Sequence, residues 1–201
     1  MQLSKETIVL AGLDILNKDE DLNMRKLADS LDIKAASIYW YFKNKQELVN
    51  EIAVYLYDQV VIPSDLHGLE YLKSFCVNEY DVFSVNMKAL HYLYKNPPTT
   101  GIGVEFASNI IKEIMSFGYS VYDAMSVLDM LHHYVMYSVS HNRMDEYELF
   151  YANQIISNID SSKLVKPNEL EKLCSGKQKF LKFLDLMLLS IVENKKNTSN
   201  Y

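Results

Sequence analysis

The sequence predicts an all-α fold. Proline and glycine are scarce, at 4 and 6 of 201 residues. No run alternates apolar and polar residues as a half-buried strand would. Apolar residues instead recur at helical spacing from residue 5 almost to the end. About half the residues are apolar, and the length suits one large domain or two small ones. We expect an N-terminal three-helix domain over residues 1–46 and a larger helical domain over 47–201.

The first helix is expected over 5–17, with Ser4 as cap and Ile8, Ala11, Gly12 and Ile15 as the buried face. Residues 18–21 read as a solvated loop. Asn23 suits an N-cap, because its side-chain oxygen can accept from the free N–H groups of the next turn. Met24, Leu27, Ala28 and Leu31 follow on one face. Residues 32–34 leave room only for a turn. A second short helix then carries Ile38 and Phe42 inward, and Asn44 closes it and caps the next. Two short helices joined this tightly cross steeply, which defines a helix-turn-helix unit.

The outward face of that pair suits DNA. Between positions 22 and 46, Arg25, Lys26, Lys34, Lys43 and Lys45 face only Asp29 and Asp32, a local charge of +3 in a chain of net charge −6. Ser37, Tyr39 and Tyr41 add hydroxyl donors for phosphate oxygens. Phosphate contacts supply affinity and register, whereas base-edge contacts supply sequence preference. The acidic bulk discourages nonspecific sticking elsewhere. On charge and periodicity alone, DNA binding and an ordinary solvated helix pair stay equally open.

A fourth helix is expected over 45–62, stopped by Pro63, with Leu48, Ile52, Leu56 and Val60 on one face. Further helices are expected over 66–82, 84–94, 100–117, 121–141, 145–159 and 176–193, with a turn at Pro167 and a polar, disordered tail. The helices at 124–139 and 180–192 are apolar nearly all round. Such helices must be covered on all sides, so we expect a homodimer in which they and their symmetry mates form a four-helix bundle.

Other chemistries find little support. Cys76 and Cys174 lack metal-type spacing and read as core thiols. His132 and His133 point about 100° apart on a helix and cannot chelate one ion from one chain. We read one as hydrogen-bonded in the interface and the other as exposed; a metal- or haem-sensing site shared across a dimer is the alternative. No nucleophile–base arrangement or phosphate loop is visible, so no enzyme, cofactor or resident metal is expected. No apolar signal core follows Lys5 and Glu6. The uncharged stretch 130–142 falls short of the roughly 20 residues a membrane span needs. The expected location is the cytoplasm.

The stretch Leu27-Ala28, then Ile38-Tyr39-Trp40-Tyr41-Phe42-Lys43-Asn44-Lys45, then Leu48, resembles the TetR family of one-component bacterial regulators, in particular its tetracycline-repressor type. Gly118-Tyr119-Ser120 through Leu128 to His133-Tyr134 looks similar to the same type. The resemblance implies a dimeric repressor of double-stranded operator DNA, with a helix-turn-helix domain over 1–46 and a ligand-binding and dimerisation domain over 47–201. Carried over by residue, Arg25 matches a base-reading arginine. Ala35, Ala36 and Ser37 fall where base edges are met, and Tyr39 and Lys45 where phosphates are clamped. With Asn23 and Tyr41 these form the expected DNA-binding set.

The resemblance also implies a small-molecule effector that shifts helix four and so changes the separation of the two recognition helices. Val61, Cys76 and Ile110 stand where the tetracycline-repressor type has polar drug contacts. Tyr80, Met125 and Leu128 fall on its apolar wall. The polar set that orients a drug–metal chelate is missing, which points to an apolar or aromatic effector other than tetracycline; each position also fits plain core. A helical interaction module without DNA binding is the remaining alternative. Against it, Arg25, Ser37, Tyr39 and Lys45 face out of the bundle and are not needed for folding.

Overall fold

The computed structural model describes residues 3–18, 21–99, 101, 103–141, 146–159 and 176–198, the last five without their side chains. All regular structure among these residues is α-helical. The chain divides into two compact units, residues 1–61 with 81–109 and residues 62–80 with 110–201.

In the first unit, α1 (Lys5–Asn17) begins at a reciprocal cap. The Thr7 amide donates to Ser4 Oγ at 3.1 Å, and the Ser4 amide donates to Thr7 Oγ1 at 2.9 Å. Of the expected inner face, Ile8, Gly12 and Ile15 are buried and Ala11 is half-buried. Gly12 is needed for close packing: a Cβ there would stand 3.0 Å from Ile52 Cδ1. The helix propensity lost at this glycine, about 1 kcal/mol, is offset by letting α1 approach α4. Asp19 and Glu20 of the expected loop lie outside the described residues; Lys18 and Asp21 are exposed.

α2 (Met24–Ser30) and α3 (Ala35–Tyr39) pack on each other, and α1 packs on α2, α4 (Lys45–Asp58) and α6 (Met87–Lys95). The turn between α2 and α3 places Asp32 at φ 52°, a left-handed conformation that Asp tolerates better than most residues. Phe42 lies beyond α3 rather than within it, yet it is fully buried. The Phe42 amide still donates to the Ile38 carbonyl at 3.0 Å, so the chain after α3 keeps the ring turned inward.

α4 ends four residues before the expected stop. Val60 and Val61 form tight turn hydrogen bonds instead of helical ones. Pro63 has no N–H to continue a helix and biases the residue before it away from helical angles. The expected face of Leu48, Ile52, Leu56 and Val60 is nonetheless buried throughout.

α5 (Gly68–Val85) crosses the division between the units at residues 80 and 81. It starts later than the spacing suggested because Gly68 sits at φ +60°, where its amide donates to Glu113 Oε2 at 2.8 Å. α7 (Val104–Ser116) also starts later, after Gly103 at φ 78°.

In the second unit, α8 (Val121–Ser140) packs against α10 (Gly176–Thr198), and α9 (Glu146–Ile159) has no buried residue. Leu131, Val135 and Val139 of α8 are buried, as are Phe180, Leu184, Leu188 and Ile191 of α10. The Tyr119 hydroxyl donates to the Ile191 carbonyl at 2.9 Å. Helix α10 extends five residues past the expected end. Pro167 and Cys174 lie outside the described residues, whereas Cys76 is a buried free thiol.

The start of α4 is held by Asn44, whose side chain accepts from the Glu47 amide at 2.9 Å, while Glu47 Oε2 accepts from the Lys43 amide at 2.8 Å. Asn44→Ala removes the cap and is expected to destabilise the protein by about 1 kcal/mol. Calorimetry should show the melting temperature falling by about 2–4 °C.

Candidate functional site

The helix-turn-helix has a closed inner side and a polar outer side. Leu27, Ala28, Ile38 and Phe42 are buried, while Arg25, Lys26, Ala36, Tyr39, Trp40 and Lys43 are exposed. Ala35, Ser37 and Lys45 are half-buried. Asn23 caps α2 through a 2.8 Å bond from the Arg25 amide, which fixes where the Arg25 side chain leaves the helix. The Tyr41 hydroxyl donates to the Leu3 carbonyl at 2.9 Å and so ties the segment after α3 to the entry of α1.

Lys45 Nζ sits 3.4 Å from Asp21 Oδ1 and 5.4 Å from the centre of the Tyr92 ring. Partial burial pulls its pKa down, but the Tyr92 hydroxyl and Asp21 outweigh this and hold it above its ordinary value. Trp40, 87% exposed, is the residue that sequence reasoning passed over. Its exposure depends on how α3 is rotated in the bundle, which spacing alone does not give.

Two side chains of α4 hold the segment after α6. Gln46 Nε2 donates to the Pro97 carbonyl at 3.1 Å. Asn50 Oδ1 accepts from the Thr99 amide at 3.0 Å, and Asn50 Nδ2 donates to Thr99 Oγ1 at 3.3 Å. Further along α4, Val54, Tyr57 and Asp58 line a cleft of about 510 Å³ together with Val104 and Phe106. None of the residues expected to bind ligand lines this cleft.

The structure places those residues as follows. Val61 is two-thirds exposed beyond α4. Cys76 and Tyr80 of α5 and Ile110 of α7 are buried. On α8, Met125 is exposed and Leu128 half-buried. Burial pushes the Cys76 thiol pKa up, with the Glu79 charge adding to it. Among α5 and α8 residues, reasoning from sequence missed Glu79. It is 1% exposed, and its Oε1 lies 2.8 Å from His132 Nδ1. His133 is exposed, 2.8 Å from the Asp129 carbonyl. One histidine is bonded and the other exposed, but the bonded one faces α5 of its own chain, where a place in the dimer interface was expected. Among the described residues, no group of three or more His, Cys, Asp or Glu side chains is placed to hold a metal.

These features define a helix-turn-helix protein with a second helical unit. Residues 20–52 match the family model for bacterial regulatory proteins of the tetR family. The likeness to that family is carried by this segment. It is 38% identical over 53 residues to the class G tetracycline repressor protein of Vibrio anguillarum, covering 25% of each chain. It is also 33% identical over 63 residues to an HTH-type transcriptional regulator of Saccharopolyspora erythraea, covering 30% of this chain and 27% of that one. The matched stretch thus spans about a quarter of these relatives' length.

The fold extends the likeness along the chain. The Streptomyces coelicolor TetR family protein ActR, solved in complex with (S)-DNPA, superposes with a TM-score of 0.69 at 18% identity, covering 97% of this chain and all of that one. A TetR from Acinetobacter baumannii in complex with minocycline gives 0.66 at 20% identity, covering 96% and 99%. BioQ with its double-stranded DNA operator gives 0.60 at 22%, covering 80% and 99%.

The Glu79–His132 pair gives stability a pH dependence. Burial raises the Glu79 pKa, with His132 opposing the shift. Burial lowers that of His132, but Glu79 and Asp129 outweigh it and the net shift is upward. Both folded-state values therefore lie above the unfolded ones, the folded chain binds more protons, and stability falls as pH rises. The His132 contribution is complete below about pH 6.5, its unfolded value, and is lost as pH climbs through the raised one. Melting temperatures measured from pH 6 to 9 should decline, and His132→Gln should flatten that decline.

Proposed function

We propose that the chain is a cytoplasmic, homodimeric transcriptional repressor, released from its operator by a small apolar or aromatic molecule. Residues 1–46 read the DNA, and residues 47–201 sense the effector and dimerise. One observation carries this reading: the helix pair turns Arg25, Ala36, Tyr39 and Trp40 outward while Leu27, Ile38 and Phe42 close its inner side. A helix pair that served only as scaffold has no need of exposed Tyr and Trp rings beside an arginine.

In this reading Arg25 contacts a base, and Ala35, Ala36 and Ser37 meet base edges. Tyr39, Tyr41 and Lys45 hold phosphates, and Asn23 sets Arg25. Cys76, Tyr80, Ile110, Met125 and Leu128 belong to the effector face, with Val61 assigned to ligand contact beyond α4. The effector acts by binding the DNA-incompetent form more tightly than the competent one. Dimeric readers engage half-sites about 34–36 Å apart, so a small change in the separation of the recognition helices ends the fit. The resemblance in the helix-turn-helix segment and the whole-chain fold support the assignment, and the regulatory character of the family supports a non-enzymatic role.

Fluorescence anisotropy on a labelled fragment from upstream of the chain's own gene tests DNA binding. Tight binding should weaken about tenfold or more between 50 and 200 mM salt. Arg25→Ala should lose about 1–3 kcal/mol of preference for that fragment over random DNA. A wild type that binds no fragment, genomic fragments included, better than random DNA would sink the assignment.

The dimer has its own test. Phe183, Leu186 and Leu189 on α10 and Met130 on α8 are exposed, which leaves apolar surface for a symmetry mate. Wild type should sediment as a dimer at micromolar concentration, and Leu189→Asp as a monomer with weakened operator binding. A monomeric wild type contradicts the dimer.

A further inference from the structure

The inner stripe of α5 is apolar with one interruption. Leu72, Phe75, Cys76 and Tyr80 are buried there, and Glu79 is buried among them. Glu79 Oε1 is engaged by His132 Nδ1, but among the described residues Glu79 Oε2 is buried without a hydrogen-bond partner. A buried carboxyl oxygen left in that state costs more than a paired one, unless something supplies a donor.

The surroundings describe what could supply it. The His132 side chain is 34% exposed and that of Glu79 1%, so solvent meets the pair on its His132 side. Leu128 and Met125 stand four and seven residues before His132, on the same side of the helix, and form an apolar approach. The Tyr80 ring, next in sequence to Glu79, stacks on Phe180 at 4.4 Å, and Tyr134 stacks on the same ring at 5.6 Å. An unpaired carboxylate oxygen favours a donor that carries positive charge, because charge-assisted hydrogen bonds are the stronger ones. An anion would meet repulsion.

We propose that Glu79 is the recognition point for an organic cation: an effector whose protonated or N–H-bearing nitrogen donates to Glu79 Oε2 while its aromatic or apolar body lies against α8. His132 is a positioning residue that holds Oε1 and turns Oε2 to the ligand. This rests on reading the chain as effector-responsive and adds the charge of the effector to it.

The test uses the full chain without DNA, because the cationic probe, proflavine, also binds DNA. Fluorescence titration compares proflavine with the anionic aromatic 1-anilinonaphthalene-8-sulfonate. Wild type is expected to bind proflavine at least tenfold more tightly than the anion. Glu79→Gln retains an acceptor and similar volume but removes the charge, and is expected to weaken proflavine binding about tenfold while leaving the anion unchanged or tighter. Glu79→Asp should restore part of the proflavine affinity.

Wild type binding the anion as tightly as proflavine overturns the proposal, whatever the variants do. So does proflavine binding indifferent to Glu79→Gln. If operator DNA is bound but proflavine shows no preference, the cation assignment falls and the regulator stands. If proflavine binds through Glu79 but DNA is not bound, the reverse holds.

Discussion

The burial of Ile38 and its neighbours is the constraint on which the DNA-facing surface depends. α2 has seven residues and α3 has five, both far too short to persist alone in water. They exist because Leu27, Ala28, Ile38 and Phe42 close into the bundle and because α1 and α4 pack behind them. Stability is therefore concentrated in a few inward residues. The outward ones are released from structural duty and free to answer to a ligand.

Much of this was legible in the sequence because it is local. Ser4, Asn23 and Asn44 are small polar residues placed just before apolar periodicity, and each accepts a backbone N–H at the start of its helix. Boundaries shifted ahead of Pro63 and at Gly68 and Gly103, where backbone geometry overrode a continuing apolar pattern, and also where α5 runs to Val85 and α6 begins at Met87 instead of 84, and at the end of α10. Side-chain chemistry carried Arg25 and Tyr39 to the outer face, whereas Ser37 and Lys45, also expected there, are half-buried. Trp40 was missed because an aromatic at helical spacing usually belongs to the core, and only tertiary packing decides which way it turns.

Glu79 was illegible for a different reason. Its partner is 53 residues away in the chain, and a single acid within an apolar stripe looks like an exposed position until the facing helix is known. The two histidines at 132 and 133 divide for the same reason. Adjacent in sequence, they face opposite circumstances, one against a buried acid and one toward solvent. Pairings between distant helices of this kind carry little signal in one sequence, although they decide what a helical unit can recognise.

Trp40 has an optical consequence. It is the one tryptophan in 201 residues, and it stands almost wholly in solvent on the surface that turns outward from the helix pair. Red-edge excitation therefore isolates a single emitter from the fifteen tyrosines. Its spectrum reports the polarity at one known point on that surface, so the molecule carries a built-in gauge of whatever comes to lie against it, with no dye attached.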